Sequence, residues 1–333
     1  MRITVLGSGG WGTALALLLL ENGNDVTLWS HTRAHSDRLR QTRENPRLPG
    51  VALPEGLKLT ADMEEAAGSA LVVMAAPSFA VKETARLAAP FLSRDAVVVS
   101  AAKGIERDTA LSMTQVIERE LGGKGRAAAL SGPSHAEEVA RGIPTGCVAA
   151  AGDLETAQLV QDVFMSPRFR VYTNEDLVGV ELGGALKNVL ALCCGVSDGM
   201  GLGDNTKALL MTRGMTEMAR LGVAMGGRKE TFAGLSGMGD LIVTCTSMHS
   251  RNRRCGILIG QGRTPQEAME EVGAVVEGYF AALSAHQLAE KVGVDMPICA
   301  CAYHVLYGDQ PLRSAVERLM RRSKRREVDE SWI

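Results

Sequence analysis

Lys187 is an ionisable residue in a segment whose other side chains are mostly apolar. The segment runs from Glu181 through Leu-Gly-Gly-Ala-Leu to Lys187 and on through Asn-Val-Leu-Ala-Leu, a pattern that predicts a helix. A buried ammonium group is costly unless it is paired or used, and burial eases the loss of its proton. We therefore predict that Lys187 transfers a proton in a reaction. A lysine that follows the helix surface out to water is the alternative.

Asp240 and Lys103 are the other candidate catalytic residues. Asp240 follows Gly237-Met-Gly and precedes an apolar run, where a carboxylate needs a cation or a hydrogen-bond donor. A lysine would serve as that partner, although the N-cap of a helix is an alternative place for an Asp. Lys103 precedes Gly104 directly after a predicted strand. We expect it to face a ligand, while a solvated loop lysine is the alternative.

A glycine motif near the start of the chain predicts a dinucleotide site. Gly7, Gly9 and Gly12 have the spacing G-x-G-x-x-G between a predicted strand and an apolar helical segment. In such a turn the first glycine allows a tight bend, the second a close approach of pyrophosphate, and the third close packing of helix on strand. The amino end of the helix then offers free N–H groups to the phosphates.

The end of the second predicted strand bears on the choice of dinucleotide. A site selective for NAD usually has an Asp or Glu there for the ribose 2′-hydroxyl. This chain has Trp29-Ser-His31-Thr-Arg33 instead. His31 and Arg33 could face a 2′-phosphate, so we expect the cofactor to be NADP or NAD. Both residues could also be ordinary surface residues.

Two basic clusters lie in the second half of the chain. The first, residues 250–254, reads Ser-Arg-Asn-Arg-Arg, and Arg forks with Ser and Asn donors suit a phosphate group. A solvated basic turn is the alternative for it. The second, residues 321–326, ends an amphipathic helical pattern, where cations complement the helix dipole. We interpret this second cluster as a solvated helix end.

The order of the predicted elements indicates the fold class. Short apolar runs at 3–6, 26–29, 71–75, 97–100, 127–130, 147–150 and 169–172 alternate with helical segments. Helical patterns dominate after about residue 174. The sequence therefore predicts an α/β protein, with an N-terminal Rossmann-type doubly wound sheet and a mostly α-helical C-terminal domain. We place the dinucleotide-binding domain at residues 1–180 and the helical substrate-binding and catalytic domain at 181–333.

The composition excludes several classes of function. With 36 Lys and Arg against 38 Asp and Glu, the net charge of −2 gives no basic field for nucleic acid. The seven cysteines form no C-x-x-C pair, which predicts reduced thiols in a cytoplasmic protein and no metal site. No apolar stretch reaches the length of about 20 residues that a membrane span needs.

These motifs, in this order, resemble the NAD(P)-dependent glycerol-3-phosphate dehydrogenases of the bacterial type over nearly the whole chain. Besides the glycine motif, the likeness rests on Ala102-Lys103-Gly104, Ser131-Gly132-Pro133-Ser134, Gly183-Gly184-Ala185-Leu186-Lys187-Asn188, Gly237-Met-Gly-Asp240-Leu, residues 250–254, and Val275-Val276-Glu277-Gly278-Tyr279.

The resemblance implies roles for matching positions. Lys187 would donate and accept the proton. The substrate would contact Lys103, Gly132, Ser134, Lys187, Asp240, Ser250, Arg251 and Asn252. The resemblance adds further positions to the cofactor site, namely Gly10, Trp11, His31, Lys103, Ala136, Arg251, Val275 and Glu277. The glycine motif itself contributes Gly7, Gly9 and Gly12, and the end of the second strand contributes Arg33.

The reaction that the resemblance implies is reversible reduction of dihydroxyacetone phosphate to sn-glycerol 3-phosphate by NAD(P)H, for glycerophospholipid synthesis. The partner would be this small molecule, and the oligomeric state stays open, with a homodimer compatible with the sequence. A β-hydroxyacid or ketopantoate reductase is the second interpretation, which the phosphate-suited cluster at 250–254 disfavours. A nicotinamide-sensing binding protein is the third, but such a protein has no use for a buried lysine and aspartate.

Overall fold

The chain folds into two compact units. The computed structural model describes residues 1–66, 68–107, 109–308, 310–324 and 326–327. The first unit contains Met1–Lys103 and Leu111–Leu177, and the second contains Gly104–Ala110 and the chain from Val178 onwards.

The first unit is built on an eight-stranded sheet with the strand order β3-β2-β1-β4-β5-β6-β7-β8. The strands are β1 (Arg2–Leu6), β2 (Asp25–Trp29), β3 (Lys58–Thr60), β4 (Leu71–Met74), β5 (Val97–Ser100), β6 (Arg126–Ser131), β7 (Thr145–Ala151) and β8 (Phe169–Asn174). Strands β1 to β6 are parallel to one another, while β7 pairs antiparallel with β6 and parallel with β8. The order reverses at β1, which is the doubly wound topology.

Helices cover both faces of this sheet. They are α1 (Gly10–Glu21), α2 (Arg33–Thr42), α3 (Val81–Ala88), α4 (Met113–Leu121), α5 (Ala136–Val139) and α6 (Leu154–Phe164). Side chains of β4 show the arrangement, because Leu71 and Val73 join one buried apolar cluster whereas Val72 and Met74 join another. Strands buried on both sides explain why their sequences are continuous apolar runs rather than alternating ones.

Two features of the sheet differ from a uniformly parallel sheet read from the sequence. Strand β3 has three residues, too few for a recognisable apolar run. Strands β7 and β8 run against the other six, a direction that the apolar pattern of a strand does not encode. The parallel part of the sheet and the helical second unit confirm the predicted fold class.

The second unit is helical among its described residues. Its helices are α7 (Leu177–Gly199), α8 (Gly203–Ala224), α9 (Lys229–Phe232), α10 (Asp240–Thr246), α11 (Arg251–Gly260), α12 (Pro265–Val272), α13 (Glu277–Val292), α14 (Pro297–Tyr307) and α15 (Leu312–Met320), with a π-helical turn at Leu235–Gly239. Helix α7 is buried along most of its length, and the other helices pack around one apolar cluster.

A short segment of the first half of the chain belongs to the second unit. Ile105 is buried in the apolar cluster of that unit, and the Ser284 hydroxyl donates a hydrogen bond to its carbonyl oxygen at 3.5 Å. The guanidinium carbon of Arg107 lies 4.0 Å from the centre of the Phe280 ring. The sequence-based boundary at 180/181 placed this segment in the first domain, because a local pattern does not show which core an isolated apolar residue joins.

One helix, α7, contradicts the expectation that no apolar stretch is long enough to span a membrane. Helix α7 has 23 residues, and it is long and apolar enough to cross a membrane by length and composition. However, 83% of its most apolar window is buried inside the protein. No other helix of the described residues meets both criteria. Burial therefore indicates that α7 is the central helix of the second unit.

Candidate active site

The glycine motif forms the turn between β1 and α1. Gly7 has a φ of +119°, and a Cβ there would lie 2.8 Å from the backbone carbonyl of Ala75. A Cβ at Gly12 would collide with the carbonyl oxygen of Gly7 and lie 3.0 Å from the Cβ of Ala75. Only glycine fits these two positions, so the first turn of α1 sits directly against the ends of β1 and β4.

The amino end of α1 is open to an anion. Gly9 is the N-cap residue and has no side chain to bond the first N–H groups of the helix. A Cβ at Gly9 would meet no atom within 4 Å, so the space beside the turn is free. Unpaired N–H groups at a positive dipole end, with room beside them, fit the pyrophosphate of a dinucleotide.

A buried polar network supports this turn. The Asn45 amide donates to the Ser8 carbonyl oxygen at 3.1 Å and to the Thr13 hydroxyl at 2.7 Å. The Ser30 hydroxyl donates to the Ser8 hydroxyl at 2.7 Å. Asn45 is not among the residues predicted from the sequence, although Asn45-Pro46 is a typical turn dipeptide. Its long-range partners are set by the fold.

Gly10, Trp11 and Ala136 lie together near the same turn. The Cβ of Ala136 lies 3.7 Å from the place where a Cβ on Gly10 would stand, and the carbonyl oxygen of Arg47 lies 2.7 Å from it. Trp11 and Ala136 both pack against the apolar cluster of the first unit. The indole N–H of Trp11 is buried and has no hydrogen-bond partner among the described residues.

His31 and Arg33 are exposed just after the end of β2. The His31 ring packs edge-on to Trp29 with ring centres 6.0 Å apart. Arg33 is the first residue of α2, and no hydrogen bond or ion pair of its side chain occurs among the described residues. A cation at the positive end of a helix is unfavourable by itself, so an anion between the two would relieve the repulsion.

Lys103 lies beside Gly132 and Ser134, two other residues that were predicted to contact the substrate. Its Nζ donates to the Gly132 carbonyl oxygen at 2.8 Å and to the Ser134 hydroxyl at 3.4 Å, and the Ser134 hydroxyl donates to the same carbonyl at 2.8 Å. Lys103 is half-buried, and Gly132 has a φ of +138°. The solvated-loop alternative for Lys103 is therefore wrong.

Lys187 and Asp240 form a buried ion pair. The Nζ of Lys187 lies 2.7 Å from Oδ1 of Asp240, with side-chain exposures of 8% and 1%. The same Nζ donates to the Thr244 hydroxyl at 2.7 Å. The surface alternative for Lys187 is therefore wrong, and so is the N-cap alternative for Asp240, because Gly239 occupies that position of α10.

Thr244 was not found from the sequence. It lies one helical turn after Asp240 on α10, and its hydroxyl also bonds to the Asp240 carbonyl oxygen and, at 3.3 Å, to Oδ1. The i, i+4 spacing from an already suspected aspartate was the available signal. The Asp240 carboxylate beside Nζ and the burial of the pair act in opposite directions on the ammonium group.

Asn252 joins three helices of the second unit. Its amide donates to Oδ1 of Asn188 at 2.9 Å, and its Oδ1 accepts from the Gly278 N–H at 2.8 Å. Asn188 is the neighbour of Lys187 on α7, and Gly278 lies in the first turn of α13. The acceptor and one donor of Asn252 are thus used internally, and within the described part of the chain its second amide N–H makes no hydrogen bond.

The basic cluster separates into residues with different surroundings. Ser250 caps α11 by accepting from the Arg253 N–H at 3.2 Å, and Arg251 is exposed as the first residue of that helix. The Arg253 side chain instead binds Asp198 at 2.8 Å. The first turn of α13 contains Glu277, preceded by the half-buried Val275. The solvated-turn alternative therefore fails for Arg253.

Comparison with known proteins identifies the family. Residues 2–157 match the N-terminus of NAD-dependent glycerol-3-phosphate dehydrogenase, and residues 176–317 match its C-terminus. The chain belongs to the glycerol-3-phosphate dehydrogenase family. The glycine motif lies in the N-terminal family region, and the Lys187–Asp240 pair in the C-terminal one.

Relatives from this family cover the chain almost completely. A glycerol-3-phosphate dehydrogenase [NAD(P)+] from Moorella thermoacetica is 56% identical over 98% of both chains. One from Fusobacterium nucleatum is 49% identical over 100% of both. The solved structure of glycerol-3-phosphate dehydrogenase from Coxiella burnetii has a TM-score of 0.93 at 38% identity, covering 96% of this chain and 99% of that one.

Proposed function

We propose that this glycerol-3-phosphate dehydrogenase family member reduces dihydroxyacetone phosphate to sn-glycerol 3-phosphate with NAD(P)H, and catalyses the reverse reaction. The glycerol 3-phosphate would serve glycerophospholipid synthesis. The observation that carries the proposal is the buried Lys187–Asp240 pair, in a chain that matches both regions of the family.

Lys187 is the proposed proton donor. The Lys187 ammonium group donates to Asp240 and Thr244, which hold Nζ in place. The oxygen of the bound ketone is proposed to accept a hydrogen bond from the same group. When a ketone is reduced, its oxygen gains negative charge, and a buried ammonium group stabilises that charge and supplies the proton. Asp240 and Thr244 would fix the position of Nζ.

The phosphate of the substrate is assigned to the amino end of α11. Arg251 provides a guanidinium fork, and the first N–H groups of this ten-residue helix provide further donors. Ser250 and the remaining amide N–H of Asn252 complete the proposed contacts, and Lys103, Gly132 and Ser134 are proposed for the polar groups of the substrate. Binding energy at the phosphate would orient the reacting carbon.

The cofactor is assigned to the glycine motif. Gly7, Gly9, Gly10, Trp11, Gly12 and Ala136 would hold its pyrophosphate and neighbouring groups, and His31 and Arg33 the end of its adenosine ribose; Lys103, Arg251, Val275 and Glu277 are also proposed contacts. Reduced nicotinamide held by these residues would supply the hydride for the ketone carbon. The open amino end of α1 is what supports this assignment.

A comparison of substrates tests the proposal. The absorbance of NADPH and NADH is followed with dihydroxyacetone phosphate, unphosphorylated dihydroxyacetone and ketopantoate. We expect kcat/KM to be far higher for dihydroxyacetone phosphate than for the other two. Similar values with and without the phosphate, or a preference for ketopantoate, would overturn the proposed function.

Two finer expectations also stay proposals. We place the enzyme in the cytoplasm, which cell fractionation tests, and a homodimer is the assembly to test by sedimentation equilibrium. Among the described residues, no group of three or more His, Cys, Asp or Glu side chains could hold a metal ion.

A further inference from the structure

The second unit contains a large cavity that the proposed reaction does not use. It has a volume of about 710 Å³ and is lined by residues of α7, α8, α14 and α15 and of the chain after α15. None of the proposed catalytic, substrate or cofactor residues lines it. A cavity of this size is typical of sites for small organic ligands.

The wall of the cavity is mainly aliphatic. Leu192 and Val196 come from α7, Leu210 from α8, Leu306 from α14 and Leu319 from α15. Leu209, which also lines it, is 47% exposed. An apolar wall that continues to the protein surface favours a ligand with an extended hydrocarbon part.

The polar groups of the cavity favour an anionic head on that ligand. Four arginines and two glutamates are among its lining residues, namely Arg213, Arg220, Arg322, Arg326, Glu217 and Glu327. Arg322 is paired with Asp295 at 2.7 Å, so the surplus of positive charge comes from the other three arginines. The Glu217 carboxyl is already bonded to the backbone N–H groups of Ile298 and Cys299. The basic run at 321–326, interpreted from the sequence as a solvated helix end, thus contributes two of the cations.

Ser197 provides an independent sign of a ligand. It lines the cavity and is only 3% exposed, yet its hydroxyl has no hydrogen-bond partner among the described residues. Buried hydroxyl groups are normally satisfied, because an unpaired one costs free energy. A carboxylate is an acceptor for both a hydroxyl and a guanidinium group.

We infer that this cavity, which we call the α7–α15 cavity, binds a long-chain fatty carboxylate. The aliphatic wall takes the hydrocarbon chain, and the Ser197 hydroxyl and the arginines take the head. The site is separate from the residues of the proposed reaction, so its occupation does not depend on whether that reaction is the correct one.

The probe is dodecanoate below its micelle concentration, titrated calorimetrically into the full chain. We expect one saturable site. Shortening the chain to decanoate and octanoate should weaken binding by up to about fourfold for each methylene group removed. Dodecyltrimethylammonium, with the same chain and a cationic head, should bind at least about tenfold more weakly.

Two aspartate variants on α8 form a matched pair. Leu209→Asp places an anion in the cavity wall and should weaken dodecanoate about tenfold or more. Val223→Asp is the control, because Val223 is 43% exposed on the same helix and does not line the cavity. Neither residue belongs to the proposed active site, so both variants should keep the dehydrogenase activity, which also reports that they fold.

Ser197→Ala gives a second variant if Leu209→Asp does not fold. Loss of a hydrogen bond to a charged group should weaken dodecanoate about tenfold or more without changing the dependence on chain length. The inference is overturned by an absence of saturable binding, by equal affinity for the cationic amphiphile, or by equal loss in both aspartate variants. It is also overturned if the wild type does not bind dodecanoate and sedimentation shows a dimer that Leu209→Asp dissociates, because a second copy then covers the cavity.

Discussion

At the scale of single residues, burial distinguishes Lys187 from an exposed lysine such as Lys58. Lys187 and Asp240 are removed from water, and such a pair gains little stability, because the cost of desolvation offsets the attraction. The exposed pair Lys58–Asp25 has the same 2.7 Å separation. Because solvent screens it, both its desolvation cost and its attraction are small. The energetic cost of an ion pair therefore depends more on its burial than on the distance between the charged atoms.

Replacing Lys187 by alanine should remove the proton donor. We expect Lys187→Ala to lower kcat by about 10²–10⁴, the usual contribution of general acid–base catalysis. Cofactor affinity, measured by fluorescence titration with NADPH, should be largely kept. Lys291→Ala is the control, since Lys291 is exposed on α13. A Lys187→Ala enzyme with most of its kcat would exclude Lys187 from the mechanism.

Arg33 should discriminate between the two nicotinamide cofactors. A hydrogen bond to a charged group is worth roughly 1.5–3 kcal/mol, so Arg33→Ala should weaken NADPH by about 10–150-fold and leave NADH nearly unchanged. Dissociation constants of both cofactors measure this, with Arg38→Ala as the control on the exposed side of the same helix. A strong NADH preference in the wild type, or equal weakening of both cofactors, would show that Arg33 is a surface residue.

At the scale of elements, the contact between α7 and α11 decides what the basic cluster can do. The two helices pack closely at glycines: a Cβ on Gly195 would collide with the Arg253 carbonyl oxygen, and one on Gly256 with the Leu192 carbonyl oxygen. Asp198 at the end of α7 binds Arg253 at 2.8 Å and also Lys207 of α8 at 2.7 Å. These contacts fix α11 and leave Arg251 exposed at its amino end.

Substitution of Arg251 should therefore affect the reaction kinetics, whereas substitution of Arg253 should affect stability. Arg251→Ala should raise KM for dihydroxyacetone phosphate and lower kcat, because phosphate binding orients the carbonyl group, and Arg251→Lys should restore only part of the loss. Arg253→Ala should mainly lower the free energy of unfolding, since it leaves Asp198 with one cation fewer. Steady-state kinetics and urea unfolding of both variants separate the two effects. Full activity in Arg251→Ala would move the phosphate site elsewhere.

At the scale of the whole molecule, one buried carboxyl group should make stability depend on pH. Glu217 lies in the core of the second unit and accepts hydrogen bonds from the Ile298 and Cys299 N–H groups at the start of α14. Burial raises the pKa of Glu217 from 4.5 to about 7, although these backbone donors act to lower it. The folded protein therefore holds a proton that the unfolded chain releases.

The free energy of unfolding should fall as the pH rises through this interval. The contribution of Glu217 is complete below about pH 4.5 and is lost as the pH approaches 7, a change of about 3 kcal/mol. Glu217→Gln keeps an acceptor oxygen but cannot ionise. Urea unfolding of wild type and variant across this range should show the difference between them changing by that amount. Parallel curves would show that Glu217 has an ordinary pKa in the folded protein.

Features that depend on local pattern could be predicted from the sequence. The glycine motif, the alternation of apolar runs with helical segments, and an ionisable residue in an apolar helix are all visible within a few residues of one another. These features predicted the fold class, which the structure and the family comparisons confirm. They also led to Lys187 as a candidate, whose catalytic role stays a prediction.

The tertiary structure alone decided which distant residues meet. Asp240 binds Lys187 across 53 positions of the chain, and Asn252 binds Asn188 across 64. The tertiary structure likewise decided the reversed direction of β7 and β8 and the ion pair between Arg253 and Asp198. A local pattern shows that a polar group needs a partner, because burying it alone is costly. It does not show which partner the packing of helices and strands supplies.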